Sequence, residues 1–349
     1  MMPRAWTDRR VRVAAGGVLL LALLLLPVAG PGAAIMNLGV FTLMYVGLAT
    51  AWNIMGGYTG YVSLGHAGFF GIGCYSVGLV VQHAGVAAGY GPFLVVPVGG
   101  LVAAASAIPI AWVALRTRAA SFVIVTIAFM FMLQILATNL RGVTGGSQGL
   151  AYPVPYQWPP GFFDVPFYYA MLGLAGLAVA VSWLILRSRF GLGLLAVRDD
   201  EDRALALGIP TGAYKMAAFA ISAGLVGMIG GVYGYYVTYV YPQFVIDPLV
   251  GISMVLMVYL GGVGTLAGPV LGALLLEPTQ LELAYYVGQA QLYLVAYAAI
   301  FLVIILFLPR GIVPSITDRL EGWRATHDSG PPPSTAVGHE EPAASATSP

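Results

Sequence analysis

From Val13 to Leu115 the chain contains no Asp, Glu, Lys or Arg. No water-soluble domain of ordinary composition leaves so long a stretch uncharged, because about a quarter of its residues are charged. A bilayer core about 30 Å thick calls for about 20 apolar residues per crossing helix, so several crossings fit in this gap alone. Apolar residues make up 59% of the whole chain and charged residues 8%, with a mean hydropathy of +0.86. In hydrocarbon every backbone amide must be paired within the protein, and helices do that within a single segment. The expected fold is therefore all-α, a polytopic membrane protein.

Ten spans are expected, near residues 13–29, 34–55, 64–82, 93–115, 120–140, 167–186, 215–238, 249–262, 264–284 and 289–308. The first follows the basic run RAWTDRRVR and has an alternative reading as a secretory signal with small residues near Ala29 and Gly30. Pro27, Pro31 and the apolar run that follows at once favour a retained helix. Three regions result: a basic N-terminus at 1–12, a transmembrane domain at 13–309 and a tail at 310–349. The tail is rich in Pro, Ser and Ala, a mixture that buries too little apolar area to offset its ordering entropy. The lone cysteine, Cys74, rules out a disulfide within the chain and reads as a small buried hydrophobe.

Basic residues near span ends stay on the cytoplasmic side. With both termini inside, every Lys and Arg except Arg141 falls in the cytoplasm. The loop 141–166 then lies outside, together with aromatics such as Tyr152, Tyr156, Trp158, Phe162 and Phe163 that suit the headgroup level. The net charge of +1 hides this asymmetry. Membrane lipid is an expected contact, and nucleic acid is not.

The densest charge lies between Arg187 and Lys215, in RSRFGLGLLAVRDDEDRALALGIPTGAYK. Carboxylates at Asp199, Asp200, Glu201 and Asp202 suit the amino end of a helix, Gly208 offers a left-handed stop and Pro210 follows it. The spacing predicts a short helix from about Asp200 to Leu207, with Asp199 and Arg203 paired four residues apart at about 0.3 kcal/mol. Burying the six charges from Arg198 to Arg203 in lipid would cost on the order of 15 to 20 kcal/mol. The helix therefore stays in the cytoplasm, and it presents Ala204, Leu205, Ala206, Leu207 and Ile209 as a small apolar surface. That surface suits either a groove on another protein or a solvated loop.

Two glycine-rich segments echo one another, GGYTGYVSLGHAGFFGIG from Gly56 and GGVGTLAGPVLGALL from Gly261. Paired Gly-interrupted segments are a pointer to a transport path, and small residues also simply let helices pack. Tyr58, Thr59, Ser63, Gly65, His66, Gly261, Gly262 and Thr265 are the candidate path residues. Among the acids, Asp247 is expected in an external turn, and Glu277 and Glu282 near the outer interface, which weakens the argument for a proton-coupled carrier. The only lysine, Lys215, follows no phosphate loop, and no acid–base pair, nucleophile elbow or zinc-protease motif is present. The chain is not expected to be an enzyme, nor to hold a metal or cofactor.

The run GLLAVRDDEDRALALGIPTGAYKMAAFAISAGLVGMIGGVYGYY resembles the coupling loop and following helix of LivM-type permease subunits of branched-chain amino acid ABC importers. GYVSLGHAGFFGIGCY and YLGGVGTLAGPVLGALLLE are similar to two further signatures of that family, and the resemblance covers most of residues 35 to 310. It implies a ten-helix permease of the type II importer kind in the bacterial inner membrane. It also implies a related LivH-like second permease, two cytoplasmic ATPases that bind the ATP, and a periplasmic binding protein. By the same resemblance the ATPase-coupling element is Arg198, Asp199, Asp200, Glu201, Asp202, Arg203, Ala204, Leu205, Ala206, Leu207, Gly208 and Ile209, with Gly208 at the signature glycine. The glutamate often found before the small residues of that signature has no clear counterpart here. Ser63, Leu64, Gly65 and His66 carry the SLGH-type signature. The implied function is import of leucine, isoleucine or valine. Urea or short-amide import is an alternative within the family, and a self-sufficient carrier or channel is one outside it.

Overall fold

The computed structural model describes residues 17, 21–30, 32–116, 119–159, 161–287, 295, 298, 299, 302, 306 and 311–315. The expected span at 13–29 is described only at residues 17 and 21–29, and the expected span at 289–308 and the tail lie largely outside the described residues. The remaining eight expected spans are helical: α1 (Ala33–Thr59), α2 (His66–His83), α3 (Gly91–Ala114), α4 (Ala119–Asn139) and α5 (Asp164–Arg187), then, after two short helices, α6 (Arg189–Asp199) and α7 (Glu201–Ala206), α8 (Thr211–Val237), α9 (Pro248–Gly261) and α10 (Gly268–Val287). Six described helical stretches are long and apolar enough to cross a membrane: Ala33–Thr59, Gly91–Ala114, Ala120–Asn139, Asp164–Arg187, Thr211–Val237 and Pro242–Gly261. His66–His83 is not among them, since its ends carry His66, Gln82 and His83. It has little need of lipid solubility, because α3, α4 and α8 pack around it.

α1 and α8 form the axis of the bundle, with α2 and α3 against α8, and α5 and α10 against α1. In the apolar window of α8, 67% of residues are buried within the protein, against 22% for α4, which marks α4 as a peripheral helix. The axis is close-packed because glycines face glycines. A Cβ on Gly73 of α2 would run into the Gly227 backbone of α8, and one on Gly227 would meet Ala103 of α3. Small residues of this kind let helix backbones approach where there is no hydrophobic drive between helices in lipid. The Cys74 thiol seals the same seam by donating to the Gly230 carbonyl at 2.9 Å.

Opposite the charged island, the loop 141–166 is more ordered than an irregular connector. It forms a one-turn helix at Arg141–Thr144, a 3-10 turn at Gly146–Gln148 and a strand at Leu150–Ala151. That strand pairs antiparallel with Tyr239–Val240 after α8, in the register Leu150↔Val240 and Ala151↔Tyr239. Tyr152 is not a headgroup aromatic. It is 4% exposed, and its hydroxyl donates to the Cys74 carbonyl at 2.5 Å.

Glu277 also departs from expectation. It is 3% exposed, on a helix that packs against both α1 and α9. Its Oε2 has no hydrogen-bond partner among the described residues.

Candidate functional site

The charged island closes one end of the bundle. α5 stops at Arg187, and the Ser188 side chain caps α6 by accepting from the Gly191 amide at 3.1 Å. The turn is tight because a Cβ on Gly191 would strike the Ile185 carbonyl. Asp200 then caps α7, its Oδ1 accepting from the Arg203 amide at 3.0 Å. Beyond α7 the Gly208 amide donates to Leu205 O and the Ile209 amide to Ala204 O, and Gly208 has φ +85°. This is the left-handed helix stop that the sequence predicts. The predicted Asp199–Arg203 pair is replaced. Asp199 ends α6, and the Arg203 guanidinium instead meets Asp200 at 2.9 Å, three residues away.

α7 has two faces. Leu205 and Leu207 are 59% and 81% exposed, and Asp202, Arg203, Ala206 and Gly208 are exposed beside them. Ala204 is buried, and Glu201 also turns inward. The Glu201 carboxylate pairs with Lys215 in the first turns of α8 and accepts from the Tyr61 hydroxyl at 2.5 Å. Tyr61 lies in the break after α1, and its hydroxyl accepts from the Lys215 ammonium at 3.1 Å. The chain's only lysine is thus 2% exposed, held over the Tyr61 ring at 4.3 Å. Partial burial pushes the Glu201 carboxyl up. Hydrogen bonds from Lys215 and Tyr61 and the Lys215 charge outweigh that and hold it below the usual glutamate range. A cleft of about 460 Å³ lies beside this triad, lined by Thr59, Gly60, Arg116, Arg198 and Asp199 among others.

Arg198 joins the island to both glycine echoes. Its guanidinium donates to the Gly57 carbonyl at 2.8 Å and lies against Gly264. Asn53 of α1 bridges the same point, donating to Thr265 O and accepting from the Gly264 amide, both at 2.9 Å. The C-terminal end of α1 therefore reaches this cation, as the negative end of a helix dipole favours, and the break after α9 lies beside it. The two echoes run in the same direction, each a helix descending to the island followed by a break and a returning helix.

The candidate path residues lie in or beside these breaks, all but the half-buried Thr265 are buried, and their polar side chains are bonded within the subunit. Tyr58 OH and Ser182 Oγ are 2.5 Å apart, Thr59 donates to Met55 O at 2.6 Å, and Thr265 Oγ1 donates to Gly262 O and accepts from the Gly268 amide. Gly65 and Gly261 are buried against Thr126 and Gly268. His66 is 0% exposed, with Nδ1 3.0 Å from Ser63 Oγ and Nε2 2.8 Å from Ser222 Oγ. Ser222 spends its proton on Ala51 O at 2.6 Å, so Nε2 is the donating nitrogen of the imidazole. Asn53, Tyr61 and Lys215 were missing from the candidate site residues. The signal for Lys215 was present, since a lone lysine at a span boundary beside four carboxylates is a pairing candidate.

Together these features define a multi-pass helical membrane protein with its charge gathered at one end of a close-packed bundle. Residues 34–308 match the family model described as branched-chain amino acid transport system / permease component, and the chain belongs to that family. It is 26% identical over 330 residues to the high-affinity branched-chain amino acid transport system permease protein LivM of Escherichia coli K12, covering 86% of this chain and 76% of that one. The LivM protein of Salmonella typhimurium LT2 matches to the same extent. LivH of Escherichia coli K12, a permease protein of the same named system, is 24% identical over 289 residues, covering 77% of this chain and 91% of that one. No solved structure matches. The chain is a permease component of a multi-subunit transport system, not an enzyme.

Proposed function

We propose that this chain is a membrane-spanning permease subunit of an ATP-binding cassette importer that moves branched-chain amino acids into the cell. Family membership across residues 34–308 carries this reading. On it, the chain pairs with a LivH-like permease, receives solute from a periplasmic binding protein and takes its driving force from two cytoplasmic ATPases, where the ATP binds. Arg116, Arg187, Arg189, Arg198, Arg203 and Lys215 gather at the island end and Arg141 at the other, which supports a cytoplasmic island in the inner membrane. The ATPase-facing residues are then Asp199, Asp202, Arg203, Leu205, Ala206, Leu207 and Gly208, and Glu201 and Arg198 act inward. Tyr58, Thr59, Ser63, Gly65, His66, Gly261, Gly262 and Thr265 shape the two breaks beside the path, because their polar groups are already bonded within the subunit.

One observation favours a second reading. A buried carboxyl with one oxygen unpartnered among the described residues, Glu277 Oε2, is what a self-sufficient proton-coupled carrier would use. Reconstitution into liposomes separates the two. Leucine uptake requires ATP, the partner permease, the ATPases and the binding protein on the importer reading, and the chain alone is inactive. Uptake by the chain alone, driven by a proton gradient, contradicts it.

A further inference from the structure

The importer reading assigns the island's outward face to a partner, and leaves the inward side of α7 without a task. Three groups meet there from three parts of the chain: Glu201 at the start of α7, Lys215 at the start of α8, and Tyr61 in the break between α1 and α2. Each pair among them is in contact, through the Lys215–Glu201 ion pair, the Tyr61–Glu201 bond of 2.5 Å and the Lys215–Tyr61 bond of 3.1 Å. Lys215 and Tyr61 are 2% and 6% exposed, so the triad has an inner wall of protein and an outer edge at the cleft. The Tyr61 ring is fixed in turn, edge-on to Phe122 of α4 at 5.4 Å between centroids.

We propose that Tyr61, Glu201 and Lys215 form a clasp that ties α7 to the α1–α2 break, so that displacement of α7 moves the break and α8 as one unit. These are positioning residues, acting through the backbone segments they hold. The proposal rests on the importer reading for its energy source, and on geometry alone for the mechanical tie. Hydrogen bonds with a charged partner in a partly desolvated site are short and strong, whereas α7 by itself is a helix of six residues and would not hold its orientation unaided. Arg198, at the end of α6, supports the clasp through its bond to Gly57 O, so the island is held at two points around the end of α1. The tyrosine hydroxyl both donates and accepts, which lets the clasp tolerate exchange of its two charges.

The test uses the reconstituted complex with Lys215→Met, Tyr61→Phe and the exchanged pair Glu201→Lys/Lys215→Glu. Leucine taken up per ATP hydrolysed falls by at least roughly tenfold in each single variant, because each removes two of the three contacts and one hydrogen bond to a charged group is alone worth about that factor. ATPase association and hydrolysis persist, and the exchanged pair recovers most of the loss. Equal uptake per ATP in wild type and single variants overturns the proposal, as does an exchanged pair no better than Lys215→Met. A second measurement is independent of the importer reading. In the purified chain in detergent, amide exchange at 201–206 and at 60–65 rises together in Lys215→Met, and a rise at 201–206 alone refutes the tie. If wild type itself shows no ATP-dependent uptake, the importer reading fails, while the exchange result still decides the clasp.

Discussion

Gly73 is a residue at which absence of a side chain is the function. Its backbone lies against Gly227, so α2 and α8 approach more closely there than any Cβ permits. Gly73→Val forces the seam apart, and overpacking of this kind costs about 1–3 kcal/mol. Thermal unfolding in detergent reads the cost. Gly212→Ala, where nothing lies within 4 Å of an added Cβ, leaves the midpoint unchanged or slightly raised. At this scale the sequence was legible in part. Glycine enrichment flagged the close approaches, but which glycine faces which depends on helix rotation and neighbour choice, and neither leaves a periodic mark in helices apolar all round. His66 shows the same limit. The sequence marks it as a candidate path residue, yet its hydrogen-bond partner Ser222 stands 156 positions away.

The elements that could be read most closely were those whose stability is local. The predicted helix of the island, from about Asp200 to Leu207, appears as Glu201–Ala206 with Asp200 as its cap and Gly208 as its stop, because caps and stops involve residues two to four positions apart. The clasp was not legible, since Tyr61 and Lys215 are 154 positions apart and meet only after the bundle forms. Its pH behaviour follows from Glu201. The folded-state carboxyl is held below its ordinary range, so its stabilising contribution is fully present above the ordinary glutamate pKa of about 4.3. That contribution is lost as pH falls through the lowered value. Amide-exchange protection of residues 201–206, corrected for intrinsic rate, should fall over that acidic window in wild type. In Glu201→Gln it should be lower at neutral pH and flat across the same window. A wild-type profile as flat as the variant's would contradict the ion pair.

For the whole molecule, hydropathy and the positions of basic residues were enough to define an all-α multi-pass chain and to group its charges at one end, because both act through the bilayer and not through particular contacts. The order of helices about the α1–α8 axis had no such signal. Nor did the buried position of Glu277, which depends on which face of α10 meets its neighbours. The central claim is that energy enters from a separate ATPase through the outward face of α7. The single native cysteine is buried, so one introduced cysteine is a clean reporter. Leu207 and Tyr156 are 81% and 89% exposed at opposite ends of the bundle. In membranes holding the whole transport system, a bifunctional thiol-to-amine reagent on Leu207→Cys should link this chain to the ATPase subunit and arrest leucine uptake, while the same reagent on Tyr156→Cys should not reach the ATPase. Linkage from Tyr156→Cys and none from Leu207→Cys would place the ATPase at the other end of the bundle and contradict the account.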